Sequence, residues 1–261
     1  MSGPVRIGLV LSAGGLRGAA HVGVIRQLIR NGVRIDAIVG VSAGAIIAAY
    51  YAAVGLSLDE LVGDARTFRG RHLLNHSLGV RLGGRLGGRL TPYCGVIPDR
   101  LRQLEAGSFD RLHHGVQRLG IVCHDLRNRR PHYCYTGSPD GVSLSDAVRA
   151  SASIPVLFPP IVVRSGDVVL ELTDGGVSDA VPLGFARSPA IGATHVIVSD
   201  SRWVGRIPSI DAATAWIRPR MFSTGTLWST RHGLAPAVRD GEAAVTGPIL
   251  DRIRVWSDES C

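Results

Sequence analysis

The chain has 261 residues, of which 45% are hydrophobic, 19% charged and 5% aromatic. This composition excludes a disordered tail and a fibrous repeat, and the length is that of one sizeable globular domain. A chain of this length buries about 70–75% of the surface that it exposes when unfolded. Its core therefore needs no disulfide, structural metal or cofactor for stability.

The charge of the chain is strongly positive. The 29 basic and 21 acidic residues give a formal net charge of +8, and every basic residue is an arginine. Guanidinium groups suit contacts with phosphate and carboxylate groups, so anionic membranes, phospholipid headgroups and nucleic acid all match this charge. Because aromatic residues are few and no nucleic-acid-binding motif is present, nucleic acid is the weakest of these partners.

Cysteine spacing and apolar runs indicate the compartment. The four cysteines lack C-x-x-C spacing and the density of a secreted scaffold, which predicts reduced thiols in a cytoplasm-like compartment; they are Cys94, Cys123, Cys134 and Cys261. Residues 7–16 are a poor signal peptide because glycines interrupt the apolar run. Residues 37–58 are long enough to cross a bilayer, but glycines divide them. We therefore expect a cytoplasmic or peripheral membrane protein without a signal peptide or transmembrane segment.

In chain order the predicted elements alternate between strands and helices. A strand over 5–11, a glycine loop, a helix over 17–30 and a strand over 37–41 predict a right-handed crossover and a mostly parallel sheet. Further helices are predicted over 43–54, 57–67, 99–106, 143–152 and 233–244, and further strands over 120–123, 131–135, 161–163, 168–172 and 195–199. The predicted fold is a three-layer α/β domain with a mostly parallel central sheet flanked by helices.

The stretch 66–93 interrupts this alternation with arginine, histidine, glycine and leucine, including the repeat RLGGRLGGRL. Glycine pairs favour mobility, and alternating leucine and arginine can contact lipid. We interpret the stretch as a lid or membrane-contact loop, with a solvated loop as the alternative. We expect 1–261 to form a single domain, with a motif-bearing core over about 7–200 and a C-terminal extension over 201–261.

The strongest chemical motif is Gly40-Val41-Ser42-Ala43-Gly44, between a predicted strand and a predicted helix. G-x-S-x-G in this context is typical of a nucleophile elbow, where the serine occupies a strained turn and the glycines let backbone segments pass closely. The N-terminus of the following helix favours negative charge beside the serine. Ser42 is therefore a candidate nucleophile, although such strings also arise by chance in a chain with 33 glycines.

Two other glycine-rich turns follow predicted strands. Asp174 precedes Gly175 and Gly176 at the end of the strand over 168–172, and a tight turn there would expose its carboxylate as a base. The loop 12–18 would expose consecutive N–H groups where an oxyanion hole is needed. This loop is not a dinucleotide fingerprint, because the first glycine of G-x-G-x-x-G is missing.

Four segments, LSAGGLRGAAHVGV, GVSAGA, RASASIPVLFPP and DGGVSDAVP, together resemble the patatin-like phospholipase family over about residues 7–200. The resemblance implies a lipid acyl hydrolase with a Ser–Asp dyad and without a catalytic histidine, cofactor or metal. It implies that Ser42 is the nucleophile and Asp174 the base. The implied oxyanion loop consists of Gly14, Gly15, Arg17 and Gly18. Asp125 matches a recurring aspartate that we interpret as structural, and we expect 151–160 to form an apolar pocket wall.

Two other functions remain open at this point. A Ser–His–Asp esterase on another α/β fold would use one of the nine histidines, of which His232 lies closest to a suitable glycine turn. A non-enzymatic protein could instead bind anionic membranes through the net positive charge alone. For the favoured hydrolase the expected partners are a lipid acyl ester and, peripherally, an anionic membrane surface, with no nucleic acid. The pattern does not predict an oligomeric state.

Overall fold

The computed structural model describes residues 4–165, 168–229 and 232–258, so Cys261 lies outside the described residues. The strands are β1 (Ile7–Leu11), β2 (Ala37–Val41), β3 (Arg118–Asp125), β4 (Arg130–Tyr135), β5 (Ile161–Ser165), β6 (Val168–Asp174), β7 (His195–Ser199) and β8 (Thr214–Ile217). The helices are α1 (Ala20–Arg30), α2 (Ala43–Ala49), α3 (Leu58–Thr67), α4 (Gly70–Leu82), α5 (Gly84–Gly88), α6 (Ile97–Glu105), α7 (Leu144–Ser151), α8 (Leu183–Arg187), α9 (Ala235–Ala243) and α10 (Gly247–Asp258).

One mixed sheet contains these eight strands in the order β5-β6-β3-β2-β1-β7-β8, with β4 paired to β3. The strands from β3 through β2, β1 and β7 to β8 run parallel to one another. Strands β4 and β6 run antiparallel to β3, and β5 runs antiparallel to β6. The predicted α/β class with a central sheet is therefore confirmed, with a parallel centre and an antiparallel side.

Successive side chains of a strand point to opposite faces of a sheet. Each face of this sheet packs against an apolar core, so the sheet is buried on both sides. Leu9 and Ile38 face a larger apolar core that also contains side chains of α1, α2, α7 and α9. Val10 and Val39 face a smaller core against Phe185 of α8. The fold therefore has three layers.

The register along β3 positions the ends of two other strands. Val41, the last residue of β2, pairs with Val122, and Asp174, the last residue of β6, pairs with Cys123. Since Val122 and Cys123 are adjacent, the residue that follows Val41 is brought next to Asp174.

The uncharged stretch 37–58 is a strand followed by a helix, as predicted. Strand β2 ends at Val41, and α2 continues as a π-helical turn over Tyr50–Val54 that ends at Gly55 with φ 81°. Among the helices of the described residues, none combines the length and apolarity that crossing a membrane requires.

The stretch 66–93, which we expected to be a loop, is largely helical. It contains the end of α3, then α4, α5 and a 3-10 turn over Thr91–Tyr93. Leu73 packs on the larger core and Ser77 is buried, although the segment is rich in glycine. Tertiary contacts therefore outweigh the low helix propensity of glycine here. Periodicity also missed α8, α10 and the short strand β8.

Helices α1 and α9 cross at two glycines. A Cβ atom on Gly23 would lie 1.9 Å from the carbonyl oxygen of Val238, and one on Gly241 would lie 2.0 Å from that of Ala20. Backbone atoms occupy the space that a methyl group would need, so this close packing depends on glycine.

We predict that Gly23→Ala lowers the free energy of unfolding by about 1–3 kcal/mol through overpacking, measured by urea denaturation. Gly63→Ala in α3 is the matched control, because a Cβ at Gly63 meets nothing within 4 Å. There alanine should raise the free energy of unfolding by about 0.5–1 kcal/mol. Equal effects of the two substitutions would contradict the close crossing.

Candidate active site

Ser42 lies in the sharp turn between β2 and α2, with φ 55° and ψ −122°. The turn requires glycine on both sides. A Cβ on Gly40 would lie 2.4 Å from the carbonyl oxygen of Gly44, and one on Gly44 would lie 2.1 Å from that of Leu11. The predicted elbow motif therefore forms a strained strand–helix turn with Ser42 at its apex.

Ser42 and Asp174 are joined by a hydrogen bond. The hydroxyl Oγ of Ser42 donates to Oδ2 of Asp174 at 2.7 Å, and both side chains are buried. Oδ1 of Asp174 accepts from the N–H of Gly176 at 2.8 Å. Burial raises the pKa of Asp174, and the bonds from Ser42 and Gly176 act in the opposite direction. A carboxylate in this position can accept the serine proton.

Ser151, the last residue of α7, and Ser153, two residues after it, hold this pair in place. Ser151 Oγ accepts from the backbone N–H of Ser42 at 2.9 Å and donates to the carbonyl oxygen of Val122 at 2.5 Å. The carbonyl oxygen of Ser153 accepts from the backbone N–H of Asp174 at 3.2 Å. From the sequence we assigned 151–160 only to a pocket wall, because no local pattern indicates these long-range bonds.

The glycine loop after β1 presents two adjacent N–H groups. The N–H groups on either side of these two donate to backbone carbonyl oxygens. The donor–acceptor pairs are Ser12 to Ser199, Ala13 to Ala180, Leu16 to Thr226 and Arg17 to Gly14. Within the described part of the chain, the N–H groups of Gly14 and Gly15 have no such acceptor. Gly15 and Ser42 line the same cavity, so this loop can supply donors to a developing oxyanion.

The other two predicted loop residues have packing contacts. The Arg17 guanidinium donates to three carbonyl oxygens of the C-terminal segment, those of Ser201 at 2.9 Å, Met221 at 3.1 Å and Thr224 at 3.0 Å. It also lies over the ring of Trp203, 4.8 Å from the centroid. A Cβ on Gly18 would lie 2.4 Å from Cβ of Ala43. Arg17 therefore anchors the loop to residues 201–224, and Gly18 lets it approach α2.

His21 supports the loop from behind and was not singled out from the sequence. Its Nδ1 lies 2.7 Å from Ser199 Oγ, and its Nε2 lies 3.0 Å from the carbonyl oxygen of Ser12 and 3.2 Å from Ser201 Oγ. Burial lowers the pKa of His21 to about 4, so the ring is neutral near pH 7. Both ring nitrogens therefore bind Ser12, Ser199 and Ser201, and not Ser42.

An apolar cavity of about 300 Å³ opens at Ser42. It follows α2 past Ile46 and Ile47 to Tyr50, a distance of about 12 Å at the helical rise of 1.5 Å per residue. Other parts of the lining come from α4, α6 and the segment 152–159, among further elements, so the predicted pocket wall is present. Next to Tyr50, Arg100 forms two hydrogen bonds to Asp64, at 2.7 and 3.0 Å.

Asp125 has a structural position, as predicted. Its Oδ1 accepts from the N–H groups of Arg127 at 2.9 Å and Asn128 at 3.2 Å, and its Oδ2 accepts from Nδ2 of Asn128 at 2.6 Å. The carboxylate therefore closes the β3–β4 hairpin and does not take part in the Ser42–Asp174 pair.

The model of the family described as patatin-like phospholipase matches residues 9–187. The chain belongs to the patatin-like phospholipase family. An uncharacterized NTE family protein of Mycobacterium tuberculosis is 32% identical over 206 residues, which cover 75% of this chain and 30% of that protein. Lysophospholipase nte1 of Aspergillus fumigatus is 46% identical over 65 residues, 25% of this chain and 4% of that protein. This chain thus spans about 30% of the length of the mycobacterial relative.

The crystal structure of VipD from Legionella pneumophila is similar to the structure of this chain, with a TM-score of 0.56 and 17% identity. The similarity covers 96% of this chain and 67% of that one. At this identity it shows a common fold.

We predict that Asp174→Asn raises stability at neutral pH. Because burial raises the pKa of Asp174, the folded protein binds its proton more tightly than the unfolded chain does, and ionisation costs stability above the folded pKa. Asparagine keeps the shape without the charge, so the urea midpoint at pH 7 should rise. Below the ordinary aspartate pKa of about 3.9 this advantage should disappear.

Asp211→Asn is the control of opposite sign. The Arg187 guanidinium lowers the pKa of Asp211 to about 2, so its ionised form stabilises the fold and its removal should lower the urea midpoint at pH 7. A lower midpoint for Asp174→Asn as well would contradict a destabilising buried charge at Asp174.

Proposed function

We propose that this chain is a lipid acyl hydrolase of the phospholipase A or lysophospholipase type that uses Ser42 as nucleophile and Asp174 as base. The observation that carries the proposal is the 2.7 Å hydrogen bond from Ser42 Oγ to Asp174 Oδ2 at the opening of an apolar cavity. Membership of the patatin-like phospholipase family supports a lipid ester as the substrate.

In the first half-reaction, Asp174 accepts the hydroxyl proton of Ser42 while Oγ attacks the ester carbonyl carbon. The N–H groups of Gly14 and Gly15 donate to the oxyanion of the tetrahedral intermediate. As this intermediate collapses, the bond to the alcohol oxygen breaks, and that oxygen takes the proton from Asp174. The acyl group remains on Ser42 as an ester.

In the second half-reaction, water attacks the acyl-enzyme. Asp174 accepts a proton from the water, and the same N–H groups hold the second oxyanion. Collapse returns the proton to Ser42 Oγ and releases the fatty acid. The raised pKa of Asp174 suits both steps, because a more basic carboxylate takes a proton from a hydroxyl group more readily.

The apolar cavity provides binding energy for the acyl chain. Its lining along α2 consists of aliphatic side chains at Ile46 and Ile47, directly beyond Ser42. An acyl chain that enters there places its carbonyl carbon at the serine and buries its methylene groups, each worth about 0.8 kcal/mol. This geometry favours lipid esters over small polar esters.

A catalytic histidine has less support. In the described residues the hydroxyl of Ser42 donates to a carboxylate, and the nitrogens of His21, behind the loop, are used by Ser12, Ser199 and Ser201. We therefore propose chemistry without an imidazole. We also propose that the substrate is met at an anionic membrane surface, with which the arginine-rich chain makes peripheral contact.

The test compares the wild type with Ser42→Ala and Asp174→Asn. Fatty acid release from mixed phospholipid vesicles and from lysophospholipid is measured by mass spectrometry, and hydrolysis of a short p-nitrophenyl ester by absorbance. Both variants should lose at least about 10⁴-fold in kcat/KM on every substrate that the wild type cleaves.

Ser145→Ala is the matched control, because the buried Ser145 hydroxyl has no protein partner within the described residues. It should retain wild-type activity. Normal activity of Ser42→Ala would overturn the proposal. Loss of activity in a single histidine variant that remains folded and keeps the Ser42 loop intact would favour a Ser–His–Asp esterase.

A further inference from the structure

Helix α4 has two apolar faces that point in different directions. Leu73 and Val80 line the cavity that opens at Ser42. Leu74, Leu78 and Leu82 are each about half exposed to solvent. At about 100° per residue, side chains spaced by four residues form one stripe along a helix, and this stripe lies away from the cavity. Helix α4 therefore presents leucine to solvent on its outer face.

The charged side chains of the segment that carries this outer face are all positive. Residues 65–98 contain six arginines and neither aspartate nor glutamate. Arg71 and Arg81 are exposed on the same helix as the leucine stripe, and Arg85 and Leu86 are exposed on the adjoining α5. Apolar side chains interleaved with guanidinium groups are typical of helices that lie in the surface of an anionic membrane.

Three exposed aromatic side chains lie in the C-terminal segment, part of which packs against the start of this helix. Trp203, Phe222 and Trp228 are more than half exposed, and Phe222 reaches 86%. Arg17 ties this segment to the glycine loop through Met221 and Thr224, while a Cβ on Gly70 would lie 2.7 Å from the carbonyl oxygen of Leu227. Tryptophan favours the headgroup region of a bilayer, so these side chains suit a membrane-facing surface that adjoins the start of α4.

Two hydrogen bonds connect α4 to the cavity wall. Arg81 donates to the carbonyl oxygen of Val156, and Ser77 Oγ donates to that of Leu157. Val156 has φ 75° and an exposed side chain. These bonds hold the helix over the cavity, and one of them uses a guanidinium that could equally bind a lipid phosphate.

We propose that the outer face of α4 and α5 (Leu74, Leu78, Leu82 and Leu86), together with Trp203, Phe222 and Trp228, is a docking surface for an anionic phospholipid membrane. On docking, Arg81 exchanges the carbonyl oxygen of Val156 for a lipid phosphate, and α4 moves off the cavity. The membrane thus opens the site to its own lipids. The opening step rests on the proposed hydrolase function, whereas docking does not.

The docking test is sedimentation with vesicles of phosphatidylcholine alone or mixed with phosphatidylglycerol. The wild type should bind the mixed vesicles, with weaker binding at high salt. The triple variant Leu74→Ser, Leu78→Ser, Leu82→Ser should bind at least about tenfold more weakly, because it loses three leucine side chains that docking would bury in the bilayer. The matched control is Ile29→Ser, Leu126→Ser, Val255→Ser, which changes three exposed apolar side chains on other elements and should bind normally.

Four results would overturn docking through this surface. Three come from sedimentation: the Leu74, Leu78 and Leu82 triple variant binds normally, the control loses as much binding, or the wild type binds both vesicle types equally. The fourth comes from light scattering: the wild type is a dimer and this triple variant is not. The last result would mean that a second copy covers the leucine stripe.

The opening step is tested with Ser77→Ala combined with Arg81→Gln. Without the two bonds to the cavity wall, hydrolysis of a soluble p-nitrophenyl ester in the absence of vesicles should increase. Unchanged or lower hydrolysis by a folded variant would refute the opening step. If the wild type binds mixed vesicles but cleaves no ester, the proposed hydrolase function fails and docking stands.

Discussion

Backbone pairing along β3 is the constraint on which the candidate active site depends. The ends of β2 and β6 pair with adjacent residues of β3, so Asp174 occupies the position that β2 would reach if it continued beyond Val41. The chain must leave the sheet at Ser42, and it does so with φ 55°. The hydroxyl then meets a carboxylate that lies 132 residues further along the chain.

The same arrangement makes the carboxylate basic. Asp174 is buried, and its ionised form keeps only the N–H of Gly176 and the hydroxyl of Ser42 as partners in the described structure. Desolvation destabilises the charge and raises the pKa, which is the change that a base without a histidine needs. The strained turn and the buried charge both cost stability, and the large apolar cores on the two faces of the sheet offset that cost.

Features with a local origin could be predicted from the sequence. The elbow around Ser42 has a local signature because its glycines are required by close backbone contacts, and strands such as β2 and β7 are continuous apolar runs. The Asp-Gly turn made Asp174 a candidate base but is ambiguous by itself, and the family resemblance selected it. Ser151, the anchoring by Arg17 and the helix over 70–82 were missed because each depends on contacts with residues far away in the chain, which periodicity does not encode.

Labelling with a fluorophosphonate, followed by peptide mapping, is the most direct measurement of whether the β3 register creates a nucleophile at Ser42. The reagent reacts covalently with activated serine hydroxyls and requires no knowledge of the natural lipid. We expect one adduct, on Ser42, and labelling at least about 10²-fold slower in Asp174→Asn, since the base is lost. An adduct on another residue, or equal labelling rates in wild type and Asp174→Asn, would contradict the Ser42–Asp174 dyad.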